Sequence, residues 1–362
     1  MRLTEEEIIR ELQSNAESYA PLRMTRFEKE IQLRNCVADA LAEFSIENGP
    51  SFRALIEITS ASNPKTIRNA CQSLFNYLQM VEAKDLIPIL IAPYIGKQQI
   101  DILAREGISW IDLSGNMVIR VGKEIYIERT GKANKFPDTS PIKQIFQGTS
   151  SLVARTLLLK PEGFSSLYEI VDFINSRDGT ITISTVSKVL QSLENELLIK
   201  KEKSGFYATQ AERLLERLAE GYRNSVKRQA RKTYRYAVKN EQDVFTALSE
   251  RPLDYVACGF YAAKLKGLAV TDEITVFIKS FEETKRAFEL ISLDIKPDAE
   301  FGQLVLIETK NPCVWFNVQK QPFANVVDDL QLYLEMLEAR PRGPAIAEQL
   351  RSRILKKSGT NG

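Results

Sequence analysis

Residues 151–207 read SLVARTLLLKPEGFSSLYEIVDFINSRDGTITISTVSKVLQSLENELLIKKEKSGFY, and this stretch decides the fold of the middle of the chain. Its apolar residues recur every three or four positions in three short runs, which is the spacing of helices that bury one face. Pro161 and Gly163 end the first run, and Asp178-Gly179 makes the turn after the second. The stretch therefore predicts three helices followed by a hairpin with its turn at Ser204-Gly205.

The third predicted helix, Ser184 to Glu196, has two unlike faces. One face is apolar, with Val186, Val189, Leu190 and Leu193. The other consists of short polar side chains and one lysine: Thr185, Ser187, Lys188, Gln191, Ser192 and Asn195. Such groups donate and accept hydrogen bonds at base edges in the major groove of DNA. The hairpin adds Lys200, Lys201 and Lys203, whose ammonium groups suit a phosphate backbone.

Three helices and a basic hairpin are the order of a winged helix-turn-helix, which we assign to residues 145–210. The order predicts double-stranded DNA as a partner. The alternative is a small helical domain that docks on other proteins. The polar face of the third helix favours DNA.

Composition limits the classes of function. The 362 residues are 44% hydrophobic and 27% charged, which predicts a folded chain of several domains. Apolar runs of the length that crosses a bilayer are absent, and the amino terminus is an acidic amphipathic helix, so we expect a cytoplasmic protein without a membrane partner. The chain has no histidine, which excludes Ser-His-Asp and Cys-His nucleophiles and His-ligated zinc. The four cysteines are far apart and predict no metal site.

The net charge of +2 does not indicate a nucleic-acid-binding protein, but the charge is unevenly distributed. Residues 223–239 contain seven basic side chains and no acidic one. They are Arg223, Lys227, Arg228, Arg231, Lys232, Arg235 and Lys239. We interpret residues 211–240 as a basic linker helix that lies along phosphates. The alternative is an ordinary solvated helix face, although solvated faces usually alternate in sign.

Residues 1–135 predict a separate domain. Two helices, over 6–19 and 24–37, precede a hairpin of strands at 38–46 and 52–59. A helix, an apolar strand at 86–93, a helix at 97–106 and short strands follow. This order, with Asp39 on one strand and Glu57 on the next, resembles the restriction-endonuclease-like or PD-(D/E)XK fold.

The resemblance implies that Asp39 and Glu57 hold magnesium and that a lysine two residues after the glutamate positions the attacking water. Thr59 stands at that position here, which weakens stabilisation of the transition state. Lys65 from the next helix could replace the lysine, and Glu30 could complete the carboxylate set. We favour a degenerate domain that has lost catalysis. The alternative is a magnesium-dependent endonuclease that uses Asp39, Glu57 and Lys65.

Residues 241–357 are similar to the carboxy-terminal domain of AbiEi-type antitoxins of type IV toxin-antitoxin systems, which is related to the nucleotidyltransferase fold. The similarity rests on three phrases: GFYAAKLKG from Gly259, DDLQLYL from Asp328 and RGPAIAEQL from Arg342. An active transferase would have a Gly-Ser pair before a helix and two carboxylates one residue apart on the next strand. Here Phe260 follows Gly259, and Asp272 and Glu273 are adjacent, so they point to opposite faces of a strand. We expect no transfer chemistry.

The sequence therefore predicts an α+β multidomain protein: a degenerate PD-(D/E)XK-like domain, a central winged helix-turn-helix and a carboxy-terminal nucleotidyltransferase-like AbiEi domain. The expected function is a DNA-binding transcriptional regulator of the antitoxin type, without a cofactor or metal. Its expected partners are operator DNA, a cognate toxin or other protein, and a second copy in a homodimer.

Overall fold

The computed structural model describes residues 3–32, 37–81, 85–136, 144–226, 232–249, 254–290, 295–298, 300–321 and 324–358. They divide into two compact units. The first comprises residues 1–141 with 195–197, and the second comprises residues 142–194 and 198–362.

The described strands of the first unit form one seven-stranded sheet in chain order. The strands are β1 (Leu22–Gln32), β2 (Val37–Ile46), β3 (Ser51–Ile58), β4 (Leu86–Ala92), β5 (Ser109–Asp112), β6 (Met117–Val121) and β7 (Ile125–Arg129). Strands β3, β4 and β5 are parallel, and the other neighbours are antiparallel. The helices are α1 (Glu5–Ser14), α2 (Pro64–Val81) and α3 (Lys97–Glu106).

Each face of this sheet buries its own apolar cluster. Leu55 and Leu90 pack with Ile67 and Leu74 of α2 on one face. Ile56 of β3 faces the other way and belongs to the cluster that includes α1. Because successive residues of a strand point to opposite faces, β3 supplies both clusters and must be apolar on both sides. Glu57 is therefore a polar exception on the α2 side of a buried strand.

The second unit begins with the three predicted helices and the predicted hairpin. They are α4 (Ser151–Leu159), α5 (Leu167–Asn175), α6 (Ile183–Asn195), β8 (Ile199–Glu202) and β9 (Gly205–Ala208). We call residues 151–208 the helix-hairpin module. The hairpin turns at Lys203-Ser204, one residue earlier than predicted. Phe164 forms an isolated antiparallel bridge with Phe206, so the loop after α4 adds a third extended segment beside the hairpin.

The rest of the second unit is α/β. Its described strands form a seven-stranded sheet in the order β13-β10-β14-β12-β11-β16-β15. They are β10 (Lys232–Val238), β11 (Tyr255–Ala257), β12 (Ile274–Ile278), β13 (Ile295–Pro297), β14 (Leu304–Glu308), β15 (Gln319–Lys320) and β16 (Asn325–Val326). The helices are α7 (Ala211–Val226), α8 (Glu241–Ser249), α9 (Gly259–Leu265), α10 (Phe281–Leu290), α11 (Asp329–Glu338) and α12 (Gly343–Ser358). The predicted mixed α and β class is confirmed.

Two predicted elements are wrong. The predicted helix at 24–37 coincides largely with strand β1, so Glu30 lies on an edge strand and not on a helix. Residues 232–238 of the predicted linker helix form β10.

The edge position explains the first error. The exposed face of β1 is charged, and charges on an edge strand prevent pairing with other chains but remove the apolar alternation of a strand.

Among the described residues, the helices are all too short or too polar to cross a membrane.

Candidate nucleic-acid interface

Helix α6 is held in place by its apolar face. Val186, Val189, Leu190 and Leu193 are all buried in the core of the second unit. The hydroxyl of Thr182 accepts a hydrogen bond from Thr185 N at 3.3 Å and caps the start of the helix. The apolar positions predicted for this helix are confirmed.

The opposite face of α6 is polar and is partly exposed to solvent. Ser187, Lys188 and Gln191 are exposed, and Thr185, Ser192 and Asn195 are half-buried. Ser184 is also exposed, and its only predicted role is to begin the helix. Ser184, Lys188 and Gln191 are spaced four and three residues apart, so they form one ridge. The ridge is polar and carries one positive charge.

The hairpin beside α6 carries the lysines predicted for it, in unlike environments. Lys200 forms an ion pair with Glu202 at 2.7 Å. Lys201 is exposed, and its ammonium group lies 5.8 Å from the centre of the Phe206 ring. Lys203 is exposed in the turn. Lys201 and Lys203 are therefore the two cations best placed to meet a phosphate backbone, because Glu202 already neutralises Lys200.

The basic run after the module does not form the predicted cationic helix. Arg223 Nε is paired with Glu338 Oε1 at 2.7 Å, and Arg235 Nη2 with Glu273 Oε2 at 2.7 Å. Lys232 Nζ lies 4.0 Å from Glu308 Oε2. Lys227, Arg228 and Arg231 lie outside the described residues. Because Arg223 and Arg235 are paired with carboxylates of the same unit, they hold α7 and β10 to their neighbours. Lys232 and Lys239, the other two described cations of the run, are exposed.

The first unit brings together the predicted carboxylates Asp39 and Glu57. They lie on β2 and β3, one position beyond the paired residues Ala40 and Ile56. Ile58 N donates to Asp39 Oδ2 at 2.7 Å, while the buried Glu57 Oε2 has no hydrogen-bond partner among the described residues. Burial, Asp39 and Glu5 together raise the pKa of Glu57 to about 8.

Glu5, at the start of α1, is the member of this cluster that the sequence does not predict. Its carboxylate and that of Asp39 are close enough to interact, and burial together with Asp39 raises the pKa of Glu5. Burial raises the pKa of Asp39 as well. Burial and neighbouring negative charge thus disfavour ionisation of these carboxyl groups, and a bound cation would offset that cost.

The residues nevertheless do not fit magnesium as they are arranged. No three His, Cys, Asp or Glu side chains in the described part of the chain are placed to hold a metal ion. Thr59, at the lysine position, is buried, and its hydroxyl donates to Ala61 O. Lys65 is the second residue of α2 and is half-buried. We derive no cleavage step from this set.

Gly259, which the sequence resemblance singles out, lies at the start of α9. Gly259 N donates to Glu335 Oε2 at 2.8 Å. Glu335 in turn accepts from Gln331 Nε2 at 2.8 Å. A carboxylate of the chain itself therefore accepts from the first backbone N–H of this helix.

Comparisons with known proteins give structural neighbours only. No family model and no curated protein matches the chain. A repair endonuclease from Pyrococcus abyssi is similar, with 14% identity over 31% of this chain and 47% of that chain and a TM-score of 0.24. A complex of EndoMS with double-stranded DNA is similar with 18% identity over 30% of this chain and 45% of that chain, and a TM-score of 0.23. EndoMS in apo form is similar with 16% identity over 31% of this chain and 47% of that chain, and a TM-score of 0.22. The chain spans less than half of each of these structures.

Proposed function

We propose that residues 145–210 are a winged helix-turn-helix and that this protein binds double-stranded DNA with α6 in the major groove. The observation that carries the proposal is the two-sided character of α6. One face is fully buried, and the other presents Ser184, Ser187, Lys188 and Gln191 to solvent. A helix fixed by its apolar face and open on a polar face can insert into a groove and contact base edges.

The hairpin supports the same placement. Lys201 and Lys203 are exposed next to the helix, and a duplex that accepts α6 would bring its phosphates to this hairpin. Phosphate contacts supply affinity that depends on salt but not on sequence. In this proposal the hairpin lysines supply affinity for DNA of any sequence, and α6 supplies the sequence preference.

Fluorescence anisotropy with a labelled duplex tests this division. Replacing Lys201 and Lys203 by Ala should weaken binding to all duplexes alike and reduce the slope of log K against log salt by about 2, since each phosphate contact contributes about 0.9. The matched control is Lys285→Ala with Lys296→Ala, two exposed lysines of the same unit outside the module. An unchanged slope in the Lys201 and Lys203 variant would remove the hairpin from the interface.

The second candidate is the magnesium-dependent endonuclease that uses Asp39 and Glu57. Its one supporting observation is the buried Glu57 Oε2, which has no hydrogen-bond partner among the described residues, and against it stands the poor fit of these carboxylates to magnesium. A plasmid-nicking assay with magnesium and with manganese separates it from the first. We expect intact plasmid. Cleavage that disappears in Glu57→Ala would mean that the protein is a nuclease and that the helix-hairpin module selects the DNA that it cleaves.

We further propose that the protein is a transcriptional regulator of the antitoxin kind. The support is the three phrases, beginning at Gly259, Asp328 and Arg342, in which residues 241–357 resemble AbiEi-type antitoxins. A reporter gene under the DNA upstream of this protein's own gene should be repressed by the full chain and released by Lys188→Ala. Equal expression with and without the chain would contradict autoregulation and would leave DNA binding to the anisotropy measurement.

A further inference from the structure

The second unit contains a cleft of about 710 Å³ that none of the preceding functions uses. It lies at one end of the carboxy-terminal sheet, where Lys279 follows β12, Lys310 comes shortly after β14, and Asp254 precedes β11. Strands β12 and β14 are parallel, and ligands of α/β sheets bind outside the carboxyl ends of such strands. The volume is within the range of about 300–1,000 Å³ that is usual for small-molecule sites.

The cleft combines an aromatic ring with a cation. Trp315 is half-buried, and the Lys279 ammonium group lies 5.3 Å from its ring centre. Lys279 is neutralised by Asp254 at 2.7 Å. Lys310 is exposed and pairs with no carboxylate among the described residues, so it is the cation left for a ligand. Thr309 and Asn325 add hydrogen-bonding groups to the wall. This combination suits a small molecule that has a flat ring and an anionic group.

The wall of the cleft also touches the turn that precedes α6. Asn317 N donates to Arg177 O at 2.9 Å. A Cβ on Gly179 would lie 2.5 Å from Ile174 Cγ2, 2.9 Å from Ile174 O and 3.2 Å from Phe316 Cδ2, so the turn packs tightly on α5 and also against Phe316. Asp178, between Arg177 and Gly179, has a left-handed backbone with φ of 59°. Asp178, Gly179 and Thr180 line the cleft together with Trp315, so a ligand in the cleft would contact residues just before α6.

We propose that this cleft binds a small planar organic anion, with its ring on Trp315 and its anionic group on Lys310. We also propose that the bound anion changes the affinity of the helix-hairpin module for DNA. The second half of the proposal rests on the proposed function, and the first half does not.

Isothermal titration calorimetry with the full chain tests the first half. The probes are AMP and benzoate, which carry a phosphate and a carboxylate on a flat ring, together with adenosine and inorganic phosphate as their separate halves. We expect saturable binding of AMP or benzoate, and the better ligand identifies the anionic group. Lys310→Glu should raise its Kd at least tenfold, and Lys285→Glu, which reverses an exposed charge elsewhere in the unit, should leave it unchanged. No saturable heat with either probe, or equal affinity in Lys310→Glu, would overturn the site.

Tryptophan fluorescence locates the ligand. The chain has two tryptophans, and Trp110 lies in the first unit, so Trp110→Phe leaves Trp315 as the reporter. The anion should quench this signal with the Kd that calorimetry gives for the unaltered chain. A signal that stays constant at saturating anion would place the ligand elsewhere.

Duplex affinity measured with and without saturating anion tests the second half. We expect at least a threefold change. An unchanged affinity would overturn the coupling. Failure to bind any duplex, both without anion and at saturating anion, would contradict the proposed function and would leave the calorimetric result on the cleft standing.

Discussion

Among single residues, Glu57 is the side chain whose environment departs most from the needs of a folded strand. It lies on the buried strand β3, opposite Asp39, and one of its oxygens has no hydrogen-bond partner among the described residues. Its pKa is raised from 4.5 to about 8, first by burial and then by the charges of Asp39 and Glu5. A carboxylate in such a place is protonated at neutral pH, and ionising it costs free energy of folding.

The first prediction concerns pH. Between about pH 4.5 and 8 the folded unit keeps a proton on Glu57 that the unfolded chain has released, so the free energy of unfolding falls as the pH rises through this window. Below it both states are protonated and the penalty vanishes. Glu57→Gln should therefore raise the melting temperature of the first unit at pH 8 and leave it nearly unchanged at pH 4.5.

Thermal unfolding at half-unit steps of pH checks this prediction. Glu43→Gln is the matched control, because Glu43 lies on the neighbouring strand β2 and is exposed. It should follow the pH profile of the unaltered chain. A Glu57→Gln profile as steep as that of the unaltered chain would mean that Glu57 is ionised in the folded state.

At the scale of single residues, the sequence predicts two of the three carboxylates in the cluster that contains Glu57. Asp39 and Glu57 can be identified because two adjacent strands bring them together, and strands are readable from local pattern. Glu5 cannot, since its approach depends on how α1 packs over the sheet. The internal ion pairs of Arg223 and Arg235 escape prediction for the same reason: their partners, Glu338 and Glu273, are distant in sequence.

Among the elements, α5 shows most clearly how side chains fix a helix end. Ser166 Oγ accepts from Glu169 N at 3.2 Å, and the Glu169 carboxylate accepts from Ser165 N at 2.7 Å. Hydrogen bonds from Lys160 and Ser165 lower the pKa of Glu169 to about 2. Two backbone donors at the start of the helix are satisfied in this way.

The second prediction is that Ser166→Ala lowers the free energy of unfolding of the second unit by about 1 kcal/mol, the usual cost of losing an N-cap. Ser187→Ala on the exposed face of α6 is the control and should change stability by less than about 0.5 kcal/mol. Urea denaturation followed by circular dichroism measures both. Equal stability of the two variants would mean that Ser166 does not cap α5.

The sequence predicts the helices and the hairpin of the helix-hairpin module, because helices with one apolar stripe and turns with Gly, Asp or Pro are local signals. It fails where a strand carries charges. Strand β10 reads KTYRYAV, and its basic residues continue the run from α7, so the stretch resembles a cationic helix. Pairing of β10 with β14 and β13 decides the strand, and that pairing is a tertiary effect.

At the scale of the whole molecule, the helix-hairpin module and the carboxy-terminal sheet domain of the second unit each contribute one buried charge, and the two opposite charges interact. Arg155 of α4 and Asp328 before α11 are both almost fully buried. Asp328 accepts from Gln331 N at 2.7 Å and from Asn317 Nδ2 at 3.1 Å. Burial raises the pKa of Asp328, and the Arg155 charge opposes that rise. The module and the sheet domain of the second unit are therefore expected to fold together.

The third prediction follows from this pair. Asp328→Asn removes the counter-charge and should cost about 3–5 kcal/mol, since an uncompensated charge is left buried. The double variant Arg155→Met with Asp328→Asn should recover part of the loss, because it removes the charge as well. Denaturation curves of the two single variants and the double variant measure the coupling. Strictly additive losses would show that the two charges do not interact.

The central claim is that α6 reads DNA sequence, and selection from a library of random duplexes, followed by sequencing of the retained DNA, tests it most directly. The unaltered chain should enrich a motif, and a palindromic motif would indicate a homodimer. Lys188→Ala and Gln191→Ala should each alter the preference at one or two positions, by about 1–3 kcal/mol per lost base contact. Enrichment of the same motif with the same preferences by both variants, or of no motif by the unaltered chain, would contradict the claim.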